Sequence, residues 1–207
     1  MLTLFYSPGA CSQAPHIVLH ETGIAHDAVR VDLKAKTTAD GGSYLDVNPK
    51  GSVPAIMLES GDVLTENAVI LQYLGDRSGA TDVLPPLGDF RRYRVLEWTN
   101  FITTELHKSF APLFKPNAGD ETKAFFRDII AQRLSYVDQA IGSGPFLAAE
   151  DFTIADAYLF VIVGWADKMI GLEQWPNLAA FRDRMLQRPS VRNVLRFEGL
   201  LAEEAAQ

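Results

Sequence analysis

Asn48-Pro49-Lys50-Gly51-Ser52-Val53-Pro54-Ala55, continued by Leu64-Thr65-Glu66-Asn67, is the stretch on which the reading of the whole chain turns. Two prolines and a glycine stand directly before an apolar run, so the backbone must turn hard at Pro49 to Gly51 and enter a strand at Ala55. Pro54 restricts Val53 to an extended conformation ahead of that strand, with a free N–H and C=O that an extended ligand could use. Eleven residues after Pro54, Thr65-Glu66-Asn67 opens an apolar-periodic segment. A helix starting there would present bare N–H groups and a positive dipole end to an anion. The same residues also make a plain turn and helix cap, and the stretch alone does not choose between the two.

On the N-terminal side, Leu2 to Tyr6 reads as a strand, then comes a turn through Pro8-Gly9 and a helix from about Ser12 to Thr22 that Gly23 closes. Val29 to Leu33 alternates as a second strand, and the polar Lys34 to Asp46 is a loop or a weak helix. Ala55 to Glu59 and Asp62 to Leu64 flank Ser60-Gly61 as a hairpin, and Glu66 to Arg77 carries apolar residues at helical spacing. The first half is therefore βαβ-ββα. After about residue 90 only helical periodicity remains: one long helix from Asp89 to Phe110, another from Asp120 to Ile141, and two short ones over Asn177 to Gln187 and Pro189 to Leu195. Phe152-Thr153-Ile154-Ala155-Asp156-Ala157 is a capping box ahead of Tyr158 to Met169, which is apolar nearly all round and so predicts a central helix. The shift in pattern predicts a domain over 1–79, a linker over 80–88 that contains Pro85-Pro86, and an all-helical domain over 89–207.

With 26 acidic and 19 basic residues in 207, the net charge of -7 argues against nonspecific attraction to nucleic acid or an anionic membrane. A hydrophobic content of 47% supplies a core, and no apolar run reaches the ~20 residues of a membrane span. The opening residues read as a strand and not as a signal peptide. Cys11 is the single cysteine, which excludes an internal disulfide and predicts no metal site and a cytoplasmic location.

Cys11 lies between a strand end and a helix start, where N–H groups and the dipole favour the thiolate; the alternative is a small buried hydrophobe. Asn100, Thr103, Thr104 and His107 recur at helical spacing as a polar stripe, either a binding face or a solvated one. Lys36 and Lys50 are isolated loop lysines whose default place is the surface.

The βαβ-ββα order, the Val-Pro step, the Thr-Glu helix start behind it and the Thr-x-x-Asp cap together resemble a glutathione S-transferase. Phe5-Tyr6-Ser7-Pro8-Gly9-Ala10-Cys11-Ser12, Glu97-Trp98-Thr99-Asn100-Phe101-Ile102 and Glu105-Leu106-His107-Lys108 narrow the resemblance to the bacterial beta class. It covers essentially the whole chain. The resemblance implies an α/β thioredoxin-like N-terminal domain, with Pro54 in the cis form, and an all-α C-terminal domain. It assigns Val53 to the cysteinyl backbone of glutathione, Glu66 and Asn67 to its γ-glutamyl end, and Lys36 to its glycyl carboxylate. Cys11 and His107 would flank the sulfur, Lys108 and Thr104 would line the site, and Asn100 would approach from the partner subunit of a homodimer. Tyr6 matches the tyrosine near the end of the first strand.

The activity implied by the resemblance is that of an enzyme conjugating reduced glutathione to small electrophiles such as aromatic halides. Reductive dehalogenation, or disulfide exchange through Cys11, are variants of it. A non-catalytic binding protein on the same scaffold is the alternative from another class.

Overall fold

The computed structural model describes residues 1–201, so the last six residues of the expected helical domain lie outside the described part. As the sequence predicts, a mixed sheet occupies the first half and helices the second. β1 (Leu2–Tyr6) pairs in parallel with β2 (His26–Asp32) and antiparallel with β4 (Ala55–Met57). β5 (Val63–Thr65) and β3 (Thr37–Thr38) close the two edges, giving the order β3-β2-β1-β4-β5. The period of two along β1 sorts its side chains. Leu2, Leu4 and Tyr6 join the main core with α1 (Gln13–Thr22) and α2 (Asn67–Ser78). Phe5 packs on the opposite face with Val31, Tyr44, Val53 and Ala55.

Three boundaries differ from expectation. β2 begins at His26, three residues before the predicted Val29, because pairing of Leu2 with His26 extends the ladder through polar residues that carry no alternation signal. The segment read as loop or weak helix holds the two-residue β3 and a 3-10 turn at Tyr44–Asp46. The predicted long helix is α3 (Phe90–Phe101), a π-helical stretch at Ile102–His107 and a last turn, α4 (Lys108–Phe110). The hydroxyls of Thr103 and Thr104 bond back to the carbonyls of Thr99 and Asn100 at 2.8 and 3.1 Å, competing with the backbone ladder where it widens.

α5 (Asp120–Ile141), α6 (Ile154–Met169), α7 (Pro176–Leu186) and α8 (Pro189–Phe197) complete the helical half. α6 is buried over most of its length and packs against α1, α2, α3 and α7. Its capping box is present. The fully buried Asp156 carboxylate accepts from Thr153 N, Thr153 Oγ1 and Leu147 N, each at 2.8 Å. Arg92 on α3 joins the halves. It grips the Asp76 carboxylate on α2 at 2.8 and 2.9 Å and donates to Pro85 O at 3.0 Å. Gly75 lets α2 lie on Leu84, since a Cβ there would meet Leu84 Cβ at 2.7 Å.

Candidate active site

Between the sheet and the helices lies a cleft of about 610 Å³. Its lower wall is the loop Ser7 to Cys11, the segment Gly51 to Pro54, Lys36, and the α2 start at Glu66 and Asn67. Its upper wall is Thr103, His107, Lys108, Phe114, Tyr158 and Trp165. The loop is held from both sides. Trp165 Nε1 on α6 donates to Gly9 O at 2.9 Å, and the Glu198 carboxylate takes Gly9 N at 3.0 Å and Gln13 Nε2 at 3.1 Å.

The Val53-Pro54 peptide is cis, and Val53 stands outside the ladder that begins at Ala55. Its carbonyl is not open as the sequence alone predicts, because the Cys11 thiol donates to it at 3.2 Å. Lys36 and Glu66 are the non-glycine residues with positive φ among the described residues, at 59° and 74°, and both line the cleft. Such backbone is sparsely populated and collects at functional sites. Lys36 Nζ donates to Gly51 O at 2.6 Å. Glu66 pairs with Lys50 at 2.5 Å, which holds its carboxyl below the usual carboxylate range. Asn67 donates to Cys11 O at 3.2 Å and keeps its Oδ1 buried without a partner among the described residues.

Cys11 and His107 face the same space with altered protonation. Burial pushes the Cys11 thiol up to about 12, against the pull of the Cys11 and Ser12 N–H groups and of Lys108. The expectation that the helix start would favour the thiolate is therefore reversed: at neutral pH Cys11 is a thiol and a donor. Burial, aided by Lys108, lowers His107 to about 4, so its ring is uncharged at pH 7. Burial raises Tyr158 well above an ordinary phenol, so its hydroxyl keeps its proton. That hydroxyl stands 2.5 Å from His107 Nδ1. Donation from Tyr158 to Nδ1 leaves the ring proton on Nε2. Trp165 packs edge-on to the imidazole, with ring centroids 5.0 Å apart.

Of the residues named from sequence, Cys11, Lys36, Val53, Pro54, Glu66, Asn67, His107 and Lys108 come together in this cleft. Three do not line it. Tyr6 is buried against His16 and Phe197, at centroid distances of 5.5 and 5.7 Å, because the strand alternation turns it towards α1. Asn100 and Thr104 are exposed. The wider π turn breaks the expected stripe and brings Thr103, not Thr104, onto the cleft face with His107. Tyr158, Trp165 and Phe114 escape the sequence reading. Tyr158 lies two positions after the cap residue Asp156, but in a helix apolar all round nothing marks which face meets the cleft.

The chain matches the family model for the glutathione S-transferase N-terminal domain over residues 9–77 and that for the C-terminal domain over residues 104–196. It is 44% identical over 200 residues to glutathione S-transferase GstA of Escherichia coli O157:H7, covering 96% of this chain and all of the relative. The structure of a sphingomonad glutathione S-transferase complexed with glutathione superposes with a TM-score of 0.92 at 42% identity, over 96% of this chain and all of that one. The bacterial beta class enzyme of Sphingomonas chungbukensis does so with a TM-score of 0.93 at 44% identity, with the same coverage. The chain belongs to the glutathione S-transferase family and resembles its bacterial beta class.

Proposed function

We propose that the cleft binds reduced glutathione, with Cys11 and His107 at its sulfur, and that the enzyme joins this sulfur to an electrophilic carbon of a small molecule. One observation carries the reading: two uncharged donors, the Cys11 thiol and His107 Nε2–H, share a cleft with Lys108. Hydrogen bonds to a charged acceptor are roughly twice as strong as neutral ones, so the Cys11 thiol trades Val53 O for the bound sulfur and both donors favour a thiolate there over a thiol. The glutathione thiol gives its proton to solvent. The thiolate attacks carbon, a C–S bond forms, and the leaving group, a halide for an aryl halide, departs with the bonding pair.

The tripeptide lies along Val53 and Pro54. Its γ-glutamyl carboxylate meets the Asn67 N–H at the α2 start, and its ammonium meets Glu66, which trades Lys50 for it. The glycyl carboxylate takes Lys36 from Gly51 O. Residues 1–79 thus hold glutathione and the helical part from residue 89 onward faces the electrophile, for which Phe114 and Trp165 make an aromatic wall. Reductive dehalogenation would use the same thiolate. Disulfide exchange through Cys11 is disfavoured, since a thiol at about 12 leaves about one molecule in 10⁵ ionised at pH 7. Asn100, exposed on α3, is free to reach a partner subunit's cleft in a homodimer. The cytoplasm, where thiols are kept reduced, suits such an enzyme.

Retention on immobilised glutathione, then conjugation kinetics with an activated aryl halide, tests the reading in wild type, Cys11→Ala and His107→Ala. Retention with kcat/KM lowered by about tenfold or more in each variant is expected, a lost charge-assisted hydrogen bond being worth about 1.5–3 kcal/mol. Failure of the wild type to bind glutathione overturns it.

A further inference from the structure

Three histidines that do not line the glutathione cleft meet between α1 and the start of β2. His16 and His20 lie one turn apart on α1, and His26 opens β2. One ring nitrogen of each lies within 4.8 Å of the others. The ring centroids stand 5.2, 5.7 and 5.4 Å apart. Two of the rings are oriented as ligands usually are, by a second hydrogen bond on the other nitrogen. His16 Nδ1 faces the buried Glu198 carboxylate at 3.1 Å, and His26 Nδ1 faces Ile24 O at 2.8 Å. Donation from each Nδ1–H leaves the Nε2 lone pair of both rings for another partner. For His16 that nitrogen is buried and has none among the described residues, although its side chain is 1% exposed. A buried imidazole nitrogen left unpaired is costly, and a bound ion would satisfy it.

We propose that His16, His20 and His26 form a binding site for a divalent transition-metal ion, of the zinc type, with solvent completing its coordination. Imidazole suits zinc, copper and nickel, and three protein ligands with one open position is a recurrent zinc arrangement. Metal–nitrogen bonds of about 2.0–2.1 Å in a tetrahedron set the nitrogens about 3.4 Å apart. Rotation of the partly exposed His20 and His26 rings towards the fixed His16 closes the difference. The expectation of no metal rests on the cysteine count and does not reach an all-histidine set. Glu198 ties this site to the cleft, because one of its oxygens holds His16 while the other holds Gly9 N and Gln13.

The test uses full-length protein without a histidine tag, stripped with a chelator and titrated with Zn²⁺ by calorimetry, and with Co²⁺ while the visible spectrum is recorded. The wild type is expected to take up one Zn²⁺ per chain and to give the intense visible bands of four-coordinate Co²⁺. Loss of even an outer hydrogen-bond partner typically costs 10–100-fold in affinity, so His20→Ala and His26→Ala, each losing a ligand, should bind at least tenfold more weakly. The double variant should lose the site. His20 and His26 are partly exposed and do not line the cleft, so retained glutathione binding serves as the folding control. Absence of stoichiometric Zn²⁺ uptake by the wild type, or equal uptake by the double variant, overturns the proposal.

Discussion

Replacing Asp156 by Ala should cost about 3–5 kcal/mol, far more than an ordinary helix cap at about 1 kcal/mol. The carboxylate accepts two backbone N–H groups and one hydroxyl at 2.8 Å in a fully buried position. Truncation leaves the Thr153 and Leu147 N–H groups with no acceptor, each at about 1–3 kcal/mol, while the Thr153 hydroxyl is able to turn elsewhere. Asp156→Asn keeps the volume and one acceptor but turns an amide N–H towards a donor, so about 1–3 kcal/mol is expected. Burial lifts the folded-state carboxyl from 3.8 to about 6 despite those donors. The folded protein therefore holds this proton more tightly than the unfolded chain over that interval. Asp156 contributes most below pH 3.8, and that contribution is lost as the pH rises through about 6. The lead of wild type over Asp156→Asn should accordingly widen on acidification from pH 7 to pH 4.5, by up to about 1.4 kcal/mol for each pH unit below the folded value. Urea unfolding of the three proteins at matched concentration, with m held common, measures both effects. An Asp156→Ala cost below about 1 kcal/mol, or a lead that narrows towards pH 4.5, would refute the reasoning from burial.

Tyr158→Phe removes the hydroxyl 2.5 Å from His107 Nδ1. If that bond fixes the Nε2–H tautomer, kcat/KM for aryl halide conjugation should fall roughly tenfold, from loss of about 1.4 kcal/mol, with little change in urea midpoint; an unchanged kcat/KM removes Tyr158 from the positioning of His107. Arg92→Leu strips Asp76 and Pro85 O of a side chain only 2% exposed. Because Asp76 is half exposed and rehydrates, the loss rests chiefly on Pro85 O left without its donor, and about 1–3 kcal/mol is expected by denaturant unfolding.

The parts of the fold legible in the sequence are those specified by neighbours in the chain. Leu2 to Tyr6, the Ser60-Gly61 hairpin and the Thr153-Asp156 cap each carry their signal within a few residues. The start of β2 does not, because His26 and Asp27 are strand residues only through pairing with β1. Nor does the π-helical step, where hydroxyl back-bonds reset the face that Thr103, Thr104 and His107 present. Lys36 and Glu66 are identifiable as site residues by resemblance, yet their left-handed backbone is invisible in side chains that ordinarily avoid it. Tyr158 and Trp165 are apolar-helix residues until the packing of α6 decides which of them meet the cleft.

Cys11 shows how a local signal can be correct in sign and still lose. The helix start, its own N–H and Lys108 do act to favour the thiolate. A helix terminus is worth about 0.3–1 kcal/mol, and about 2 kcal/mol in the best partly buried geometry. Raising the thiol from 9.0 to about 12 corresponds to a net penalty of about 4 kcal/mol on the anion, so burial outweighs that local help. The neighbours that enclose Cys11 come from elsewhere in the chain: its thiol donates to Val53 O at 3.2 Å and its carbonyl accepts from Asn67 Nδ2 at 3.2 Å. The long-range packing therefore sets the chemistry of this cysteine. It makes Cys11 a proton-bearing donor at neutral pH, in place of an anion.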